Sequence, residues 1–290
     1  MIDPRLIDHF PDEHDGYPSW LAAGDTTDAL RDVCGDASRA FPEALWIEPR
    51  HWEERAKEND AAGAWGLDFI DRFTNQSPTH ECTCHSLRAN AEAARNRARG
   101  VSYGGPLVDV RYPESSRFGS VWLSPLSVYA EANPRQWGGA NVRQVLEIAC
   151  RRGMLPETIQ PADYGFRHAV NGTAGRGNFN QLGGRWVPVS QFPEGWEETA
   201  RQFRPLEVIF PESYEQAVNL VLHGYVVSVG RNGHAVPWAK WVAGERLMAY
   251  PDSYDIVRYD SERTARSAWR GSFAIASMTV PDDWSRPAAG

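Results

Sequence analysis

Apolar positions recur with helical spacing in several stretches before Tyr225 and with strand spacing after it. Leu87, Ala91, Ala94 and Ala98 fall one helical turn apart, and Gly100 follows as a stop. A stripe of alanines lets a helix approach its neighbours closely, so this helix is expected at the centre of the fold. Val142, Val145, Leu146 and Ala149 mark a second helix that ends near Gly153. Ser213 to Gln216 has the form of a capping box, with Ala217, Leu220 and Val221 on one face behind it. A weaker helical stretch lies around Thr27 to Val33.

Beyond Tyr225 the period changes. Tyr225 to Val229, His234 to Ala243, Arg246 to Tyr250 and Phe273 to Val280 read as strands, with Gly230, Gly233 and Gly244 at the turns. Trp238 and Trp241 fall on opposite faces of the second of these, one for the core and one to wall a cleft. Helices first and sheet last predict an α+β protein with segregated halves rather than alternating βαβ units. Pro156 to Pro205 is rich in Gly and Pro with little periodicity and reads as an irregular surface loop. Residues 1–45 are acidic and punctuated by Pro. They read as an N-terminal arm or cap that could offer a surface to assembly partners, with residues 46–290 as the main domain.

Composition narrows the class. A chain of 290 residues, 42% hydrophobic and 23% charged, can bury a sizeable core. A formal net charge of -8 argues against a broad electrostatic grip on nucleic acid or an anionic membrane. No apolar run approaches a membrane span, and Met1 to Arg5 lack the layout of a secretory signal. The expected location is therefore cytoplasmic or within a particle. Four cysteines are too few for a disulfide scaffold, so each needs its own explanation.

The densest polar cluster runs from Asn75 to Ser86, just before the alanine-striped helix, and contains Cys82 and Cys84. A cysteine at a helix N-terminus faces the positive end of the macrodipole, which favours the nucleophilic thiolate. The same two residues could equally be small buried hydrophobes. A metal site from His80, Cys82, Cys84 and His85 is disfavoured, because Cys-x-Cys is too tight for one tetrahedral ion and no second ligand pair follows. Gly172 to Gly177 lacks the Gly-Lys-Ser/Thr ending of a phosphate loop and the third glycine of a dinucleotide fingerprint. No metal or cofactor is expected. His168 and His223 read as ordinary solvated or hydrogen-bonded residues. Arg95, Arg97 and Arg99 read as a solvated helix end that complements the dipole.

The order of short motifs resembles the papain-like cysteine peptidases. Gln76 lies six positions before Cys82, which opens the helix. In that family the His and Asn follow the nucleophile by about 130–150 residues; here Gly233-His234-Ala235-Val236 places a histidine 152 positions after Cys82. Pro251-Asp252-Ser253-Tyr254-Asp255 stands where the family has its Asn-Ser-Trp-Gly stretch, 18 positions beyond His234. Leu123-Ser124 and Trp137-Gly138-Gly139 fall in family order between them, and the likeness runs from about Ile47 to Val280.

The resemblance implies a two-lobed α+β fold with a helical N-terminal lobe, a central Cys-bearing helix and an antiparallel β-rich C-terminal lobe. It also implies a thiol-dependent peptidase or amide hydrolase with a peptide or protein substrate. Cys82 would be the nucleophile, His234 the acid and base, and Asp252 the residue that orients the ring. Gln76 would help form the oxyanion hole, and Gly138 and Gly139 would pair with an extended substrate.

Several positions depart from the family pattern. Asp252 replaces Asn, Thr83 replaces a Trp, His80 and Glu81 replace small residues, Tyr254 replaces a shielding Trp, and Thr79 stands where a half-cystine is usual. These departures motivate a second reading: the fold kept as a structural or binding module with a degraded site, for instance a subunit of a larger assembly such as a viral particle.

Overall fold

The computed structural model describes residues 2–8, 26–70, 82–104, 123–132, 139–156, 189–192, 194–231, 234–253 and 256–279. Gln76, Glu81, Gly138, His168, Tyr254 and the 172–177 stretch lie outside these residues.

The fold is α+β, as the change of period predicts. The helix carrying Cys82 is its centre: α3, Cys82–Ala98, with every residue from Thr83 to Asn96 buried. Ala89, Ala91, Ala93 and Ala94 bring its backbone close to its neighbours. Burying so many polar groups requires that each find a partner. Ser86 Oγ lies 3.0 Å from Ser228 Oγ. Asn90 donates to the Phe273 carbonyl at 3.2 Å and accepts the Ile275 N–H at 2.9 Å. Arg88 pairs with Glu92, whose other oxygen accepts the Leu123 N–H at 2.8 Å. These bonds fix the register of α3 against both halves of the molecule.

The helical half joins α3 to α1 (Thr27–Cys34), α4 (Pro125–Ala132) and α5 (Val142–Arg151) around one core. Thr26 caps α1 and Asn141 caps α5 through their side-chain oxygens. The chain leaves α5 through Gly153 at φ +90°. A Cβ there would lie 1.9 Å from the Ala200 carbonyl oxygen, so both the left-handed conformation and the close approach demand glycine. The second core gathers α2 (Trp52–Ala62), α7 (Tyr214–Leu222) and the strands of the C-terminal half. Ser213 Oγ accepts the Gln216 N–H at 3.1 Å as expected of a cap, but Gln216 returns its bond to the Glu212 N–H, one residue early.

The strands form three sheets. Strands β1 (Ile7–Asp8), β8 (Ile256–Asp260), β7 (Leu247–Asp252) and β6 (Lys240–Val242) lie in that order, antiparallel except for β1 beside β8. Strand β3 (Pro205–Phe210) sits between β2 (Ser38–Ala40), parallel to it, and β9 (Ala274–Met278), antiparallel. Strands β4 (Val227–Arg231) and β5 (His234–Trp238) make a hairpin whose last pair is Arg231 with His234. The layout is a helical half, a half rich in antiparallel strands, and the cysteine helix between them. Described residues of the first 45 contribute β1, α1 and β2 to it. Among the described residues no helix is long and apolar enough to cross a membrane.

Five expectations are corrected. The stretch His234 to Ala243 is two strands in different sheets; the chain breaks at Ala239, whose N–H goes to the Ala249 carbonyl at 2.9 Å. Because the break turns the chain, Trp238 and Trp241 are both buried in one core, and neither walls a cleft. Gly230 lies inside β4 opposite Ala235 rather than at a turn. The end of α3 is solvated only in part: Arg95 is buried and Arg97 stacks 3.5 Å over the Tyr225 ring, while Arg99 is exposed as expected. Within Pro156 to Pro205, the described residues include a helix, α6 (Trp196–Arg201), whose Trp196 packs on the helical core. Strand β8 and the helix α8 (Glu262–Ala268) that follows it carry no periodicity strong enough to announce them.

Candidate active site

Three elements converge where the helix begins. Helix α3 presents Cys82 at its first position, half-buried, at the end of the helix whose backbone N–H groups point outward along its axis. Strand β5 begins at His234, and β7 ends at Asp252. The hairpin fixes His234 from one side, through its pairing with Arg231. On the other side, the His234 Nε2–H donates to Asp252 Oδ1 at 2.9 Å. That bond leaves Nδ1 as the ring nitrogen for the thiol, and the Cys82 side chain hydrogen-bonds the ring. The Ala235 backbone N–H also reaches Cys82.

The electrostatics favour an ion pair. Burial pushes the Cys82 thiol up, but the hydrogen bond and positive charge of His234, with the Ala235 N–H, outweigh it and hold the thiol below its usual range. Burial pulls His234 down, yet the bond to Asp252, the bond to Cys82 and both negative charges hold the imidazolium up to about 9. Each group therefore stabilises the charged form of the other. The two titrate as a pair, and both shifts run toward thiolate with imidazolium.

Asp252 is only 4% exposed. A carboxylate so buried needs more than one partner. Its second oxygen, Oδ2, lies 3.0 Å from Nε of Arg258, on the neighbouring strand β8. The contact is an ion pair at short range without the straight N–H···O line of a good hydrogen bond. Arg258 was not singled out by the sequence. The only signal for it in the sequence is its position, six residues after Asp252.

Thr83, which stands where the family has Trp, is buried. Its hydroxyl donates to the Ala140 carbonyl at 3.0 Å. A hydroxyl has one proton, so Thr83 cannot donate to the thiolate at the same time. Its effect is to tie the first turn of α3 to the segment holding Gly139, which is exposed. Cys84 and His85, in the same first turn of α3, are buried. His223, expected as an ordinary hydrogen-bonded residue, bonds the Leu45 carbonyl at 3.1 Å. Gln76 and Gly138 lie outside the described residues, so the site described is Cys82, His234, Asp252, Arg258, Thr83 and Gly139.

No family model matches the chain, and no curated protein matches it. Among solved structures, xylellain, a cysteine protease from Xylella fastidiosa, aligns with a TM-score of 0.49 and 14% identity over 73% of this chain and 85% of that one. The cysteine protease and lectin-like domains of Cwp84, a surface layer associated protein of Clostridium difficile, align with a TM-score of 0.46 and 12% identity. There the match covers 83% of this chain and 61%, under two thirds, of the other.

Proposed function

We propose that this chain is a papain-like cysteine peptidase, or a related amide hydrolase, that works through an acyl-enzyme on Cys82. The observation that carries the reading is the relay itself: Cys82 against His234, and His234 held by a buried Asp252. The Cys82 thiolate attacks the substrate carbonyl carbon. His234 then gives its proton to the leaving amine as the tetrahedral intermediate collapses. Water, deprotonated by the now neutral His234, attacks the thioester and returns the enzyme to its resting ion pair. Gln76 and the Cys82 backbone N–H are assigned to the oxyanion, and Gly138 and Gly139 to the backbone of an extended peptide.

A broad peptide-substrate screen of wild type beside Cys82→Ala tests this. Cleavage by the wild type alone supports it. His234→Ala should then lower kcat/KM by about 10²–10⁴-fold. Absence of cleavage together with equal labelling of Cys34, Cys82, Cys84 and Cys150 by an electrophile would sink it and favour the non-catalytic module.

A further inference from the structure

Two of the remaining cysteines meet in the helical half. Helix α1 lays Leu30 and Cys34, one turn apart, into the helical core. Helix α5 presents Leu146 and Cys150, also one turn apart, to the same core. Cys34 and Cys150 thus face each other near the C-terminal ends of the two helices. Their side chains are hydrogen-bonded to each other, and both are free thiols. Both line one surface cavity of about 560 Å³, with Gly35 and Arg143 among its walls. Cys34 is buried and Cys150 half-buried, so the cavity gives a small reagent access to Cys150 first.

We propose that Cys34 and Cys150 form a reversible disulfide that clamps the N-terminal segment to the helical half. A low-molecular-weight disulfide is the oxidant. The Cys150 sulfur attacks it, forming a mixed disulfide and releasing one small thiol. The Cys34 sulfur then attacks the Cys150 sulfur, closing the intramolecular bond and expelling the second small thiol. The two protein thiol protons leave on the two released thiols, so two thiols are oxidised and one small disulfide is reduced. The bond closes a loop of 150 − 34 = 116 positions. That loop contains the whole of α3, so closure constrains the unfolded chain strongly while asking little movement of helices already in contact.

The pairing does not depend on the proposed hydrolysis. It is therefore tested in full-length Cys82→Ala, which removes the thiol at the candidate site. The protein is incubated with oxidised glutathione, alkylated under denaturing conditions and digested without reduction. One cross-linked peptide pair joining Cys34 to Cys150 is expected, lost on reduction, with Tm raised by roughly 5 °C or more. Adding Cys34→Ala, a change of small size at a core position, should leave the glutathione adduct trapped on Cys150. The proposal is overturned if both cysteines stay alkylated, if the adduct on Cys150 persists while Cys34 is present, or if either pairs instead with Cys84.

Discussion

Asp252→Asn keeps the shape and the acceptor of the residue behind His234 and removes only its charge. The imidazolium loses an anion 2.9 Å from Nε2. At the same time Arg258, 3.0 Å from the other oxygen, is left without its counter-charge near the ring. Both changes disfavour the imidazolium. Holding the ring protonated to about 9 rather than 6.5 corresponds to about 3 kcal/mol, shared between Asp252 and Cys82. A neighbouring charge at hydrogen-bond distance typically moves such a group by about one to three pH units.

The sign of the outcome follows. Activity needs thiolate, hence a pH above the Cys82 midpoint, and imidazolium, hence a pH below that of His234. In the variant the His234 midpoint falls, and the Cys82 midpoint rises because its cation is weaker. The active window narrows from both sides, and its alkaline limb drops by about one pH unit or more. The rate of Cys82 alkylation by iodoacetamide, measured against pH, reads the thiolate without a known substrate. Wild type should react through neutral pH, and the variant's midpoint should shift upward. Superimposable profiles would show that His234 does not feel the charge on Asp252.

Two further predictions test how the site is held. Thr83→Val leaves the Ala140 carbonyl, at a position only 6% exposed, without its donor, and should cost about 1–3 kcal/mol in urea unfolding. A loss below about 0.5 kcal/mol would mean the bond does not hold α3 to the Gly139 segment. Gly153→Ala forces a Cβ to within 1.9 Å of the Ala200 oxygen at φ +90° and should cost about 3 kcal/mol or more. A variant with unchanged Tm would contradict the close packing of the end of α5 on α6.

What the chain announced in advance is what local physics decides. Helices α3, α5 and α7 carry their own apolar faces, caps and glycine stops, so their existence can be read within a dozen residues. Helix α2 cannot be read that way: its sequence, Trp52-Glu53-Glu54-Arg55-Ala56-Lys57, is polar nearly all round, and only Trp52, Ala56 and Asn59 are buried. The break at Ala239 depends on a bond to Ala249 in another strand, so an apparently continuous run of strand residues became β5 and β6. Arg97 looked like a helix-end charge because the Tyr225 ring beneath it is more than a hundred residues away in sequence. The site divides in the same way. Cys82, His234 and Asp252 could be named from motifs in order, but Thr83's partner and Arg258 depend on contacts that only the folded chain makes.

Arg258 changes what the departure at position 252 means. Taken alone, Asp where a neutral Asn is usual adds a buried negative charge to a site that already holds a thiolate. With Arg258 against Oδ2 the added charge is balanced, and the four groups Cys82, His234, Asp252 and Arg258 sum to zero, as thiolate and imidazolium do beside a neutral Asn. Aspartate and arginine then behave as one substitution made at two positions. The two ends should act with opposite sign. Arg258→Gln leaves Asp252 unopposed, raises the imidazolium midpoint and moves the alkaline limb above about 9, whereas Asp252→Asn lowers it. The double variant Asp252→Asn with Arg258→Gln restores a neutral acceptor behind the ring. Its pH profile of Cys82 alkylation should lie nearer the wild type than that of Asp252→Asn alone, because the two opposite shifts offset one another. If the two single shifts have the same sign, or the double variant lies as far from the wild type as Asp252→Asn alone, Arg258 does not offset the charge on Asp252 and that charge enters the site uncompensated.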